Sequence, residues 1–139
     1  MSSRSSPDLR VVLDTNVIVA ALGATGLCHE VVVRALGACT VVASTPLLDE
    51  LERTLGAKFT LGPAANAFLE QLHVRLRLVD PVPLPAPVSR DADDDVVLAT
   101  AVAAGAVVIV TGDQDLLVLG RYREIDIVSP REFLARLLS

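Results

Sequence analysis

The apolar run at residues 106–110 (AVVIV) constrains the fold more strongly than any other segment of the chain. Its residues are all apolar and mostly β-branched, which is typical of a strand that is buried on both faces of a sheet. Such strands occur in parallel sheets, whose crossover connections carry helices over both faces. The run therefore predicts an α/β protein, and the polar segment TGDQD falls at the carboxyl end of this strand.

Other short apolar runs alternate with helical patterns. Further strands are predicted at residues 10–13, 41–43 and 125–128, with a short one at 76–80. Helices are predicted at residues 16–22, 27–36, 47–55, 63–76 and 91–104 and after Pro130, and the proline-rich residues 81–90 read as a loop. This alternation predicts a central, mainly parallel sheet with helices on both faces, in which ligands bind at the carboxyl edge of the strands.

Length and composition indicate one compact domain. The chain has 139 residues, within the ~100–150 that are usual for one domain. With 52% hydrophobic but only 3% aromatic residues, its core must consist of Val, Leu, Ile and Ala. We assign residues 10–139 to the domain and residues 1–9 to a flexible polar arm.

The arm lacks a signal-peptide core, and the uncharged run 96–112 is shorter than the ~20 residues that span a bilayer. We therefore expect a cytoplasmic protein with no membrane segment.

The net charge of −5 disfavours a protein that holds nucleic acid by unaided attraction to phosphates. Clustered carboxylates can nevertheless bind divalent cations, which reverse the sign of the local field that a phosphate meets. The two cysteines, Cys28 and Cys39, are too few for a disulfide framework and lack metal-ligand spacing, so we expect reduced structural thiols.

Acidic residues follow two of the predicted strands. Asp14 comes directly after residues 10–13, where an ionised group is costly unless a positive charge meets it. Asp113 and Asp115 follow the strand 106–110. Helix capping by Asp14 and a solvated turn at Asp113 are the alternatives. Two acidic strand ends on one sheet edge favour a functional site.

Two predicted helices carry further acids. Asp93, Asp94 and Asp95 begin one helix, where compensation of the helix dipole would require fewer than three carboxylates; Asp91 reads as a cap or loop residue. In the helix at 47–55, the leucines at positions 47, 48, 51 and 55 form one apolar arc, and Asp49 points away from it. Glu50 and Glu52 flank the arc on opposite sides, so helical geometry leaves the choice between these two glutamates open.

Other enzyme classes fit less well. His29 and His73 have no ligand partners at recognisable spacing, and no nucleophile motif or phosphate-binding glycine loop is present. A haloacid-dehalogenase-type phosphatase or a receiver domain would need a suitably placed lysine, and Lys58 is the single lysine; the phosphatase would also need a second Asp where Asn16 stands. A catalytically silent binding module is a further alternative; the presence of all the acids named above argues against it.

The segments VVLDTNVIVAAL, TPLLDELERTL, RDADDDVVLATAVAAGAVVIVTGDQDLL and IDIVSPREFL resemble the PIN-domain family, in particular its bacterial toxin-like branch. The resemblance covers nearly the whole chain. It implies an α/β/α sandwich and a metal-dependent ribonuclease that hydrolyses RNA with a metal-activated water. In this branch the nuclease is often the toxin of a toxin–antitoxin pair; a housekeeping RNA-processing nuclease is the alternative.

The resemblance also implies the site residues. The matching acids are Asp14, Glu50, Asp95 and Asp113 as metal ligands, with Asp94 as the alternative to Asp95 and Asp115 as a helper in catalysis. Asn16 and Thr111 match polar positions that support the site, and Val96 departs from the longer polar residue that relatives often carry. An oxygen ligand set favours Mg²⁺ or Mn²⁺ over Zn²⁺.

Three arginines lie in predicted loops near Asp95 and Asp113 and are candidate RNA contacts: Arg90, Arg121 and Arg123. Solvated arginine side chains are the alternative. The resemblance implies an antitoxin protein as partner. Because the chain is 52% hydrophobic, one domain is not expected to bury all of its apolar surface, and we predict a homodimer.

Overall fold

A computed structural model describes residues 9–23, 25–58 and 60–139. The strands of this part of the chain are β1 (Arg10–Leu13), β2 (Thr40–Ser44), β3 (Arg77–Val79), β4 (Val108–Val110), β5 (Arg121–Tyr122) and β6 (Ile125–Val128). Its helices are α1 (Thr15–Ala21), α2 (Leu27–Ala38), α3 (Thr45–Lys58), α4 (Pro63–Arg75), α5 (Ala92–Ala104), α6 (Gln114–Leu117) and α7 (Pro130–Leu138).

The six strands form one sheet in the order β3-β2-β1-β4-β6-β5. All neighbouring pairs are parallel except β5 and β6, which are antiparallel. In the centre, Val12 of β1 is aligned with Val42 of β2 and with Ile109 of β4. The predicted mainly parallel sheet is therefore confirmed, and the ends of β1 and β4 lie side by side at its carboxyl edge.

Helices cover both faces of the sheet because side chains alternate along each strand. Val11 and Leu13 face a core that contains residues of α1, α2, α4 and α7, including the buried Phe133. Val12 faces the opposite core, which is formed chiefly by α5 together with Leu116 of α6. Helix α3 contributes to both cores. This arrangement confirms the α/β/α sandwich.

Local sequence signals set several element ends. Gly105 ends α5 in the left-handed conformation (φ 65°), which favours glycine because it has no Cβ. Pro130 begins α7, and the hydroxyl of Ser129 accepts a hydrogen bond from the backbone N–H of Glu132 (3.1 Å). Helix α6 and strand β5 were not predicted; both are short, and β5 forms a hairpin with β6.

The proline-rich segment 81–90 contains no helix or strand, as predicted. Of the predicted flexible arm, residues 1–8 lie outside the described residues. Leu9 is described, and its carbonyl oxygen accepts a hydrogen bond from the backbone N–H of Thr40 (2.9 Å). Among the described residues, no helix combines the length and the apolar character needed to cross a membrane.

Candidate active site

Asp14 is the buried centre of the acidic edge. It follows β1, and its side chain is 5% exposed. One carboxylate oxygen, Oδ1, accepts a hydrogen bond from the backbone N–H of Thr15 (2.7 Å), so Asp14 caps α1. The other, Oδ2, accepts from Thr111 Oγ1 (2.8 Å) and Asn16 Nδ2 (3.3 Å). Burial raises the pKa of Asp14 against the lowering effect of these hydrogen bonds, and the charge of Asp113 raises it further.

Asn16 and Thr111 connect the end of β1 to the segment after β4. The side-chain oxygen Oδ1 of Asn16 accepts a hydrogen bond from the backbone N–H of Gly112 (3.0 Å). Thr111, which is fully buried, donates its hydroxyl proton to Asp14 and accepts from the backbone N–H of Asp113 (3.0 Å). These contacts fix the positions of the two strand-end acids relative to each other.

Three more carboxylates converge beside Asp14. One oxygen from each of Asp94, Asp113 and Asp115 lies within 4.8 Å of the other two. Asp113 caps α6 by accepting from the backbone N–H of Asp115 (2.9 Å). Asp94, 4% exposed, accepts from Ser89 Oγ (3.1 Å). Burial, together with the hydrogen bond to Asp113 and its negative charge, raises the pKa of Asp94 to about 7.

Glu50 completes the site from α3. Its side chain is partly buried, and burial raises its pKa, as do the charges of Asp93 and Asp14; Arg53 opposes the shift. The carboxylates surround a cavity of about 360 Å³. Its charged lining residues are all acidic: Asp14, Glu50, Asp91, Asp93, Asp94 and Asp113.

The chemistry of this lining fits a divalent cation. The pKa values of Asp14, Glu50 and Asp94 are all raised, which means that ionisation of each carboxyl is opposed by burial and by its acidic neighbours. Within the described part of the chain, no Lys, Arg or His lines the cavity. A cation with oxygen ligands would remove this repulsion.

The profile of one protein family, described as the PIN domain, matches residues 10–115. The chain belongs to the PIN-domain family. The match includes β1, β4 and the helices α3 and α5 that carry the acidic site. It confirms the family to which the four sequence segments pointed.

Three solved structures share this PIN-domain fold at low sequence identity. VapBC2 from Rickettsia felis, solved bound to a DNA fragment from its promoter, is 15% identical, with a TM-score of 0.61, and covers 87% of this chain and 98% of its own. VapC20 of Mycobacterium tuberculosis, a toxin that cleaves the sarcin–ricin loop, is 20% identical, with a TM-score of 0.54 and coverage of 84% and 98%. PAE2754 from Pyrobaculum aerophilum is 16% identical, with a TM-score of 0.55 and coverage of 94% and 90%. A search of curated proteins found no significant match.

The position of Asp95 in this PIN domain differs from our expectation. Its carboxylate does not line the acidic cavity but accepts hydrogen bonds from the backbone N–H groups of Val88 (3.1 Å) and Ser89 (2.8 Å). Adjacent residues of a helix point about 100° apart, so Asp94 and Asp95 lie on different sides of α5. The structure places Asp94 in the cavity, the alternative that the sequence left open.

Two of the three candidate RNA-contacting arginines lie away from the acids. Arg123 is in the turn between β5 and β6 beside the C-terminal part of α5, at the opposite edge of the sheet, and stacks on the ring of Tyr122 (5.2 Å). Arg121 forms an ion pair with Asp126 (3.7 Å). Arg90 does lie at the acidic site, where Nη2 is 3.2 Å from Asp115 Oδ1.

Some site residues were not recognised from sequence. Asp91 caps α5, as expected, but it also lines the cavity together with Asp93, Thr15 and Thr54. Ser89, which donates to Asp94, lies in the proline-rich segment and has no motif of its own. Glu50 lines the cavity whereas Glu52 does not, which agrees with the choice that the resemblance implied.

Proposed function

We propose that the protein is an endoribonuclease, a hydrolase that requires Mg²⁺ or Mn²⁺. The observation that carries the proposal is the cavity in which six carboxylates, and no basic side chain among the described residues, meet at the carboxyl edge of the sheet. Carboxylate oxygens favour these two ions over Zn²⁺, which prefers Cys and His ligands. Membership of the PIN-domain family supports the nuclease activity.

Asp14, Glu50, Asp94 and Asp113 would hold the ion. When bound, a divalent cation lowers the pKa of a water molecule and neutralises charge that develops on a phosphate. Thr111 and Asn16 orient the Asp14 carboxylate through their hydrogen bonds. The backbone N–H of Asp115 holds one carboxylate oxygen of Asp113 by a hydrogen bond. No Ser or Cys nucleophile is needed.

RNA is the proposed substrate class. The mycobacterial toxin with the same fold is described as cleaving the sarcin–ricin loop, a statement about that protein that supports RNA here. With only three Phe, one Tyr and no Trp, the chain has little capacity for extensive base stacking. Recognition would therefore rest on backbone contacts and on the shape of exposed RNA loops.

The decisive experiment measures cleavage of labelled RNA by the purified protein with Mg²⁺, Mn²⁺ or EDTA. We expect cleavage with either ion and none with EDTA. Asp14→Asn and Asp113→Asn should each lower the rate by orders of magnitude, because each removes a charged ligand. Asp49→Asn, which alters an exposed acid of α3 outside the cavity, is the matched control. Cleavage that survives EDTA, or full activity of both site variants, would refute the proposal.

The phosphatase alternative gains no support from the geometry. Asn16 occupies the position where that class requires a second aspartate, and its side chain instead hydrogen-bonds to Asp14 and Gly112. The side chain of Lys58 lies outside the described residues. A catalytically silent module would bind no metal, so calorimetry with Mn²⁺ separates it from the nuclease.

The toxin role is the finer part of the proposal. We infer that an antitoxin protein binds this chain and restrains it. Support comes from the toxin-like branch of the family and from the toxin and toxin–antitoxin structures that share the fold. Growth arrest after expression of the chain alone, relieved by a co-purifying host protein, is the expected result. Normal growth and no associated protein would instead support a housekeeping nuclease.

We also propose a homodimer. Large apolar side chains remain exposed on the described surface, including Val74 (77%), Leu78 (55%) and Val82 (72%) close together in sequence around β3. Burial of such surface favours association. Light scattering at micromolar concentration should give twice the monomer mass, whereas a monomeric mass with full activity would refute a required dimer.

A further inference from the structure

Several hydrogen bonds hold the segment before α5 at the edge of the acidic cavity. Two carboxylates of α5 accept hydrogen bonds from this segment. Asp95 accepts from the backbone N–H groups of Val88 and Ser89, and Asp94 accepts from Ser89 Oγ. The Ser89 hydroxyl also accepts from the backbone N–H of Asp91 (3.3 Å), the cap of the helix. The backbone N–H groups on both sides of Arg90 are therefore hydrogen-bonded, although the residue lies in a loop.

The side chain of Arg90 contrasts with its fixed backbone. It is 89% exposed, and its guanidinium makes one ion pair, from Nη2 to Asp115 Oδ1 at 3.2 Å. Exposed ion pairs contribute little to stability, so the guanidinium can exchange Asp115 for another anion at low cost. A guanidinium also carries five N–H donors, which leaves several for a phosphate even while one is bound to Asp115.

Arg90 stands beside the metal-binding carboxylates. Its partner Asp115 offers an oxygen within 4.8 Å of oxygens of Asp94 and Asp113. A polyanion that approaches the cavity meets only acidic charges among its charged lining residues, and Arg90 supplies a positive charge at the rim. Arg53 is a second cation nearby, since it lowers the pKa of Glu50, but among the described residues no hydrogen bond holds its side chain in place.

We propose that Arg90 binds a phosphate of the RNA next to the one that is cleaved, and that Asp95 is the positioning residue that holds the Arg90 segment in place. The proposal rests on the ribonuclease function proposed above. It divides the three consecutive acids of α5 between two tasks: Asp93 and Asp94 line the cavity, and Asp95 holds the loop.

Binding is measured separately from cleavage by fluorescence anisotropy of a labelled single-stranded RNA of mixed sequence, with Mg²⁺ present and Asp14→Asn as the inactive background. Arg90→Ala should weaken binding about fivefold to tenfold, the effect of one charge-assisted contact. The slope of log K against log salt should become shallower by roughly 0.7, the value for one lost phosphate contact on a single strand. In the active protein, KM should rise while kcat stays nearly constant.

Two control variants separate a placed contact from general charge. Arg34→Ala removes an exposed arginine that is also ion-paired, to Glu30 at 2.6 Å, on a helix that does not line the cavity. Arg53→Ala removes a positive charge near Glu50 whose side chain has no hydrogen bond within the described part of the chain. Both should leave RNA affinity nearly unchanged. If Arg90→Ala behaves like Arg34→Ala, or if all three arginine variants lose affinity equally, the proposal fails.

Asp95 is tested by a double-mutant cycle. Asp95→Ala should weaken RNA binding as Arg90→Ala does, and the double variant should be no weaker than either single one, because both act through the same contact. Asp95→Asn, which keeps one acceptor oxygen, should recover part of the affinity. Calorimetric Mn²⁺ affinity should stay unchanged in Asp95→Asn. Loss of Mn²⁺ binding would make Asp95 a ligand and overturn its positioning role.

A wild type that binds RNA through Arg90 but never cleaves it would contradict the nuclease proposal and leave the Arg90 contact intact.

Discussion

Replacement of Asp94 by Asn should make the metal-free protein more stable at neutral and alkaline pH. Asp94 is 4% exposed and next to Asp113, and its pKa is raised from 3.8 to about 7. A carboxyl whose pKa is higher in the folded than in the unfolded state binds its proton more tightly when folded. Its contribution to stability is therefore complete below about pH 3.8 and is lost as the pH rises to about 7.

The size of the effect follows from the shift of about three pH units. At ~1.36 kcal/mol per unit, the full cost of ionising Asp94 is about 4 kcal/mol. Its carboxylate opens onto a solvent-accessible cavity, where screening reduces this figure, so we expect on the order of 2 kcal/mol. Asn has nearly the same shape, keeps an acceptor for Ser89 and carries no charge.

The assay is urea denaturation followed by circular dichroism in EDTA, at several pH values from 4 to 8. The wild type should lose stability across this range, whereas Asp94→Asn should show a much flatter dependence and exceed the wild type at pH 8. Asp49→Asn, an exposed acid on α3, should follow the wild type. Mn²⁺ at 100 times its Kd should restore about 2.7 kcal/mol to the wild type at pH 8. Parallel pH curves for wild type and Asp94→Asn would show that the repulsion between Asp94 and Asp113 is not significant.

Two further substitutions test the support of the site and of the sheet. Thr111→Val removes the buried hydroxyl that donates to Asp14, so it should lower the unfolding free energy by about 1.5–3 kcal/mol and weaken Mn²⁺ binding. Unchanged Mn²⁺ affinity by calorimetry would show that Thr111 does not orient the carboxylate. Phe133→Ala empties a 1% exposed position on the buried face of α7 and should lower the unfolding free energy in urea by about 3–5 kcal/mol, with Mn²⁺ affinity of the folded fraction preserved. A loss below about 1 kcal/mol would contradict its core position.

The parts of the fold that follow from burial could be predicted from sequence. The apolar runs of β1, β2, β4 and β6 appear as strands because each is covered on both faces, and Gly105 ends α5 as expected. Helix α6 and strand β5 span four and two residues, too few to show a periodic pattern. Their formation depends on pairing with β6 and on burial of Leu116.

The site was predictable where an acid follows a strand and less so where it lies on a helix. Asp14 and Asp113 are fixed by the ends of β1 and β4. Asp94 and Asp95 differ by their position around α5, whose buried face includes Val97, Leu98 and Ala101. Asp95 accepts from the backbone N–H groups of residues 88 and 89, and sequence does not reveal that contact. Arg123 is close to Asp113 in sequence, but the antiparallel hairpin carries it to the other edge of the sheet.

The hydrogen bond between Asp14 and Thr111 joins residues that are 97 positions apart. During synthesis on the ribosome, Asp14 leaves the exit tunnel long before β4 and Asp113 are available to it. A nascent or prematurely ended chain that stops before β4 consequently lacks Asp113, one of the six carboxylates of the cavity, and Thr111, the hydroxyl partner of its buried Asp14. The full set of carboxylates around this cavity therefore comes together only after β4 and Asp113 have left the ribosome.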